Sequence, residues 1–109
     1  MKVTRIFTFE AAHKLPGYPG LCGSLHGHSY ILHVTVEGPV HENGMVIDFS
    51  DLKAYVQAVL DRLDHTYLNS LIAVPTAENI LLYLQKELAL SKGSLTLYET
   101  AKCYATLDF

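Results

Sequence analysis

A chain of 109 residues has room for one core, so residues 1–109 are expected to form a single domain. Half of the residues are hydrophobic and 17% are charged, a globular composition that excludes a disordered chain. A net charge of −3 with no basic run or basic-aromatic stripe argues against a nucleic-acid partner, and the apolar stretches are too short to cross a membrane.

Val3, Arg5, Phe7, Phe9, Ala11 and His13 fall on one side of an alternating segment, which predicts a first strand. Turn residues from Pro16 to Gly20 end it. A second strand is expected over Leu25 to Glu37, with His26, His28, Tyr30, Leu32, Val34 and Val36 on one face. Gly38-Pro39 and Glu42-Asn43-Gly44 punctuate its exit. A helix follows, with Ser50 as its expected N-cap and an apolar stripe through Leu52, Tyr55, Val56, Val59, Leu60 and Leu63.

Asp64 to Pro75 reads as a loop. Thr76 is the expected N-cap of a second helix, and Glu78 lies in its first turn, where the helix dipole favours a negative charge. Ile80, Leu81, Leu84 and Leu88 give that helix an inner face, and Gly93 is expected to close it. Two strands, Ser94 to Glu99 and Lys102 to Leu107, end the pattern. The order ββααββ implies an α+β domain with a mostly antiparallel sheet and both helices on one face. Four strands leave two sheet edges, and pairing of those edges between subunits is expected.

The chemistry concentrates in C-x-x-x-H-G-H, Cys22 to His28. On an extended chain His26 and His28 point the same way, so both imidazoles can converge on one ion. His13, at the end of the first strand, completes three nitrogens if the two strands form a hairpin in the right register. Three protein nitrogens and an open fourth position describe a catalytic zinc site. Cys22 has three readings that spacing does not separate. It is a fourth ligand closing a structural site, a small packing residue, or a thiolate base beside the metal. Asp64-His65 reads either as a helix stop or as an acid/base pair. Glu99 follows Leu95 and Leu97 on one strand face, where a carboxylate needs solvent or a partner with N–H donors. With only two cysteines, far apart, and no signal-peptide pattern, reduced thiols in a cytoplasmic protein are expected. Cys103 reads as a packing residue, and His33 and His41 as ordinary surface or capping residues.

F-E-A-A-H-K-L, C-G-S-L-H-G-H, V-I-D-F-S-D-L-K, L-D-H-T-Y-L-N, P-T-A-E-N and Y-E-T occur in this order. Together they resemble the 6-pyruvoyl-tetrahydropterin synthase family from Phe9 to about Glu99. The spacing between Cys22 and His26 resembles the bacterial 6-carboxytetrahydropterin synthases of the queuosine pathway. The resemblance implies a T-fold, with barrels built from several subunits, two stacked trimers and active sites at subunit interfaces. It implies zinc held by His13, His26 and His28, Cys22 as general base, and Asp64 and His65 as a partner dyad. Glu99 would anchor the pterin's amino-pyrimidine edge, with Thr76 and Glu78 nearby. The implied substrate is dihydroneopterin triphosphate, which loses triphosphate and, in the carboxy branch, acetaldehyde. Lys14, Arg5, Lys53 and Lys102 are available for the triphosphate, and none is singled out by its pattern.

Overall fold

A computed structural model describes residues 1–109. The strand β1 spans Lys2–His13 and β2 spans His26–Glu37; a helix α1 covers Phe49–Leu60 and a two-residue strand β3 covers Thr66–Tyr67. Helix α2 spans Ala77–Leu88, followed by β4, Gly93–Thr100, and β5, Cys103–Asp108. The sheet order is β3-β1-β2-β4-β5. The architecture is the expected α+β one, with a short fifth strand inside the segment read as a loop. That strand runs parallel to β1, pairing Thr66 with Ala11 and Tyr67 with Ala12. Two residues carry too little periodicity to announce a strand.

The register of β1 and β2 decides the site. They pair antiparallel throughout, with Phe9 opposite Tyr30, Ala11 opposite His28 and His13 opposite His26. The odd-numbered residues of β1 and the even-numbered ones of β2 therefore share a face, as the alternation requires. Phe7, Phe9, Leu32 and Val34 on that face join Leu95 and Leu97 of β4 in one core. Leu52, Val56 and Leu60 of α1, with Ile80, Leu84 and Leu88 of α2, close it from above. Both helices thus cover one side of the sheet, while Thr4, Ile6, Thr8 and Glu10 of β1 face away and are exposed.

Element ends depart from the sequence reading in three places. The N-cap of α1 is Asp48, whose carboxylate accepts from the Ser50 N–H at 2.7 Å, so Ser50 lies inside the first turn and is not the cap. The cap preference does not separate Asp from Ser, and the pattern D-F-S admits both. Helix α2 ends at Ala89, in the left-handed region with φ 48°, ahead of Gly93. Gly93 instead opens β4, where an added Cβ would lie 1.9 Å from the Thr35 carbonyl oxygen. Glycine is needed there by close backbone approach. Thr76 caps α2 as expected, accepting from the Asn79 N–H at 3.2 Å.

Candidate metal centre and acid/base pair

His13, His26 and His28 come together at one end of the core face, with one ring nitrogen of each within 4.8 Å of the others. His13 is fully buried. Its Nδ1–H donates to the Pro75 carbonyl at 2.7 Å, and the His26 Nδ1–H donates to the Ser24 carbonyl at 2.7 Å. A carbonyl only accepts, so each Nδ1 holds the proton and each Nε2 presents a lone pair. Those two Nε2 atoms face each other at 2.9 Å. Two lone pairs at that distance repel unless a cation stands between them. The His28 Nε2 is buried and has no hydrogen-bond partner; Glu99 Oε1 lies 3.4 Å away, outside good hydrogen-bond geometry. Three convergent imidazole nitrogens, two of them oriented through their second nitrogen, fit zinc.

Burial pushes the His28 imidazole below its usual range, partly offset by the Glu99 carboxylate. A neutral imidazole is the form that binds a metal. Beneath the triad Tyr30 is fully buried and stacks on Phe9 with centroids 4.9 Å apart. Its hydroxyl, pushed up by burial, lies 3.3 Å from His13 Nδ1. At the exit of β1, Asn69 accepts from the Lys14 N–H at 3.0 Å and donates to the Lys14 carbonyl at 2.8 Å. That reciprocal pair fixes the chain immediately after His13. The supporting roles of Pro75, Tyr30 and Asn69 escaped the sequence reading, because a carbonyl acceptor or a core tyrosine carries no local signal of its role. Tyr30 was nonetheless placed on the histidine face, and Pro75 and Asn69 fall in the motifs P-T-A-E-N and L-D-H-T-Y-L-N.

Cys22 is exposed and lies in a short 3₁₀ turn, Leu21–Gly23. The turn is fastened to the end of β1 by the Leu15 N–H, which donates to the Cys22 carbonyl at 3.0 Å. Gly23 has no room for a side chain, since a Cβ would sit 2.1 Å from the Tyr18 carbonyl oxygen. The cluster of convergent ligand atoms contains the three histidines and no sulfur. Cys22 therefore does not belong to the group of convergent ligand atoms.

Asp64 and His65 sit elsewhere. The Asp64 Oδ2 is 3.0 Å from His65 Nδ1, and its Oδ1 accepts from the Glu10 N–H at 2.8 Å. That main-chain N–H, with the His65 imidazole second, holds the Asp64 carboxyl below its usual range. His65 adopts the left-handed region, φ 57°, and its own N–H donates to the Glu10 carbonyl. A non-glycine residue there is uncommon and is held by such surroundings. The imidazole opens into a cavity of about 470 Å³ that is also lined by Glu10 and Ser29. Glu10 and Ser29 face away from the core, so the cavity opens on the sheet face that carries them, with His28 of the triad also on its lining. Within one chain the structure does not bring the dyad onto the metal centre.

Glu99 and Glu78 line a second cavity of about 200 Å³, at the N-terminus of α2. Cys103 borders it and is exposed, which corrects the expectation of a packing residue. It opens β5 directly after the turn from β4, beyond the reach of the core. Thr76 sits half-buried beside this cavity and is occupied in capping. Of the basic residues, Arg5 donates to the Phe49 carbonyl at 3.0 Å and lies over the Phe7 ring, so it is engaged in structure.

Residues 2–108 match the 6-pyruvoyl tetrahydropterin synthase family. The chain belongs to that family. A putative 6-carboxy-5,6,7,8-tetrahydropterin synthase of Archaeoglobus fulgidus is 50% identical over 82 residues, covering 75% of this chain and 70% of that protein. A dihydroneopterin monophosphate aldolase of Pyrococcus furiosus is 40% identical over 83 residues, covering 74% and 68%. The solved structure of Caenorhabditis elegans 6-pyruvoyl tetrahydropterin synthase superposes with a TM-score of 0.89 at 28% identity, covering 100% of this chain and 95% of that one. The fold is therefore the T-fold of this family, and the chain is an enzyme of the lyase type. No helix is long and apolar enough to cross a membrane.

Proposed function

We propose that this chain is a zinc-dependent lyase that converts 7,8-dihydroneopterin triphosphate to 6-carboxy-5,6,7,8-tetrahydropterin, releasing acetaldehyde and triphosphate, in queuosine and related 7-deazapurine biosynthesis. The observation that carries this reading is the face-to-face approach of His13 and His26 Nε2 at 2.9 Å, with His28 Nε2 buried and unpartnered beside them. Zinc held by the three Nε2 atoms would supply Lewis acidity towards a substrate oxygen at its open position.

The remaining chemistry belongs to the chain itself. Cys22, free and exposed, removes a proton from the substrate side chain in this reading. His65, with Nδ1 engaged by Asp64, exchanges a proton through Nε2. Division of acid and base work between a thiol and a carboxylate-oriented imidazole suits two groups in different surroundings. Glu99 accepts from two N–H donors of the amino-pyrimidine edge, which orients the ring more than it tightens binding. Thr76 and Glu78 flank that contact.

The dyad and the triad do not converge within one chain, so His65 serves the metal centre of a neighbouring subunit in this reading. A cytoplasmic homohexamer, built as a dimer of trimers, supplies the neighbours, and its barrels close the sheet's exposed edges, β5 on one side and, on the other, β3 with the stretch of β1 that β3 does not cover. The similarity to the Pyrococcus aldolase supports a second reading, in which carbon–carbon cleavage releases a hydroxymethyl pterin from a related dihydroneopterin phosphate. A pyruvoyl product would leave the carbon chain whole. Incubation with dihydroneopterin triphosphate, with identification of the pterin and an assay for acetaldehyde, separates these. Carboxytetrahydropterin with an equivalent of acetaldehyde supports the first reading; a hydroxymethyl or pyruvoyl pterin without acetaldehyde overturns it.

A further inference from the structure

Glu10 touches the acid/base pair at two points and shares its cavity. Its N–H donates to Asp64 Oδ1 at 2.8 Å, and its carbonyl accepts from the His65 N–H. Its side chain lines the cavity into which His65 opens. The main-chain contacts explain how the pair is held, but they leave the carboxylate unexplained. That carboxylate has no cationic partner: its one contact is the Ser29 hydroxyl, which donates to Oε2 at 2.7 Å. Glu10 and Ser29 stand directly opposite each other on β1 and β2.

The cavity's polar atoms are thus mostly acceptors. Glu10 Oε1 is free, and Ser29 Oγ has spent its proton on Oε2 and can only accept. Asp64 takes up the His65 Nδ1–H, so Nε2 of the neutral ring presents a lone pair; Thr66 Oγ1 already donates to the Leu63 carbonyl, and the Tyr67 hydroxyl is left as the donor on the lining. No lysine or arginine lines the cavity. A phosphate there would meet a carboxylate with nothing to neutralise it. A ligand segment that brings hydroxyl donors fits this set, because a carboxylate accepts strong hydrogen bonds from O–H groups.

We infer that Glu10 is a substrate-positioning residue, and that its carboxylate, steadied by Ser29, binds the hydroxyls of a polyol side chain beside the His65 imidazole. The inference rests on the pterin reading above and names the part of the ligand that the dyad cavity receives. It assigns the triphosphate to some other part of the site. Glu10 is exposed on the sheet face away from the core, so Glu10→Gln removes the charge without touching packing.

The test compares two probes on the zinc-loaded protein by calorimetry: 7,8-dihydroneopterin, which carries three hydroxyls, and 6-methylpterin, which carries none. In Glu10→Gln, affinity for dihydroneopterin falls about tenfold, the scale of a lost charged hydrogen bond. Affinity for 6-methylpterin and the zinc content stay as in the wild type. Ser29→Ala shifts the same preference in the same direction by a smaller factor. If Glu10→Gln binds both probes as the wild type does, Glu10 and Ser29 are only a cross-strand polar pair and the inference is overturned. If the wild-type protein binds neither probe, the pterin reading fails and takes this inference with it.

Discussion

The Nε2 atoms of His13 and His26 stand 2.9 Å apart, each made a lone-pair donor by the carbonyl that its Nδ1 proton engages. Neither Pro75 nor Ser24 can reverse its role, so the two rings are held in a geometry that only a cation relieves. Removal of the metal with a chelator is therefore expected to destabilise the protein. A ligand present at a thousand times its dissociation constant stabilises by about 4 kcal/mol, which sets the scale. Thermal unfolding with and without chelator, followed by zinc add-back, measures it. An unchanged midpoint would speak against a bound ion.

Substitution of any one triad member removes a candidate ligand, but His13 is special because it is the one that is fully buried. His13→Ala is expected to lose metal and also to leave the Pro75 carbonyl and the Tyr30 hydroxyl without their shared partner. His26→Ala should lose metal with a smaller direct effect on the apo fold. Chelator-treated samples of both variants, compared by thermal melting, distinguish these contributions.

Thr76 has a structural task that precedes any substrate contact. Thr76→Ala is expected to cost about 1 kcal/mol through loss of the cap on α2. Thr76→Ser keeps the hydroxyl and should restore that stability. A rise in KM shared by both variants, beyond the stability change, would mark a contact made by the threonine methyl.

Glu99 is expected to act on binding. Glu99→Gln should raise KM by roughly tenfold to a hundredfold, the range for a lost charged hydrogen bond, with zinc content retained. If zinc fell instead, the nearness of Glu99 to His28, 3.4 Å, would point to a role in holding the metal centre.

Asp64 gives the fold a defined response to acid. Its folded carboxyl titrates below the usual value, chiefly because of the Glu10 N–H and then His65. The unfolded chain therefore takes up the proton first as pH falls. Stability from this group is present above about pH 4 and is lost as pH drops through the lower folded value. Asp64→Asn should flatten the dependence of the melting temperature on pH in that acid range. An equal slope in both proteins would show that the carboxylate is not held as described.

How far the sequence could carry this account differs from element to element. The alternation in Val3–His13 and His26–Glu37 was enough to place three histidines on one face, and the hairpin register then put His13 opposite His26. Core positions such as Leu84 and Leu97 followed from the same periodicities. The orienting carbonyls of Pro75 and Ser24 were not legible, because main-chain acceptors have no residue signature. Strand β3 was hidden by its two-residue length, and with it went the fact that Asp64 and His65 are anchored to Glu10 on the far side of the sheet. Ala89 at the end of α2 is a left-handed residue without the glycine that usually announces one.

The central claim is an open three-histidine metal centre with Cys22 working beside it. Bound zinc and turnover measured together on Cys22→Ala test that directly. The account predicts a full equivalent of zinc, an unchanged melting temperature and loss of product formation. Zinc and thermal stability that collapse together would make Cys22 a ligand and contradict it.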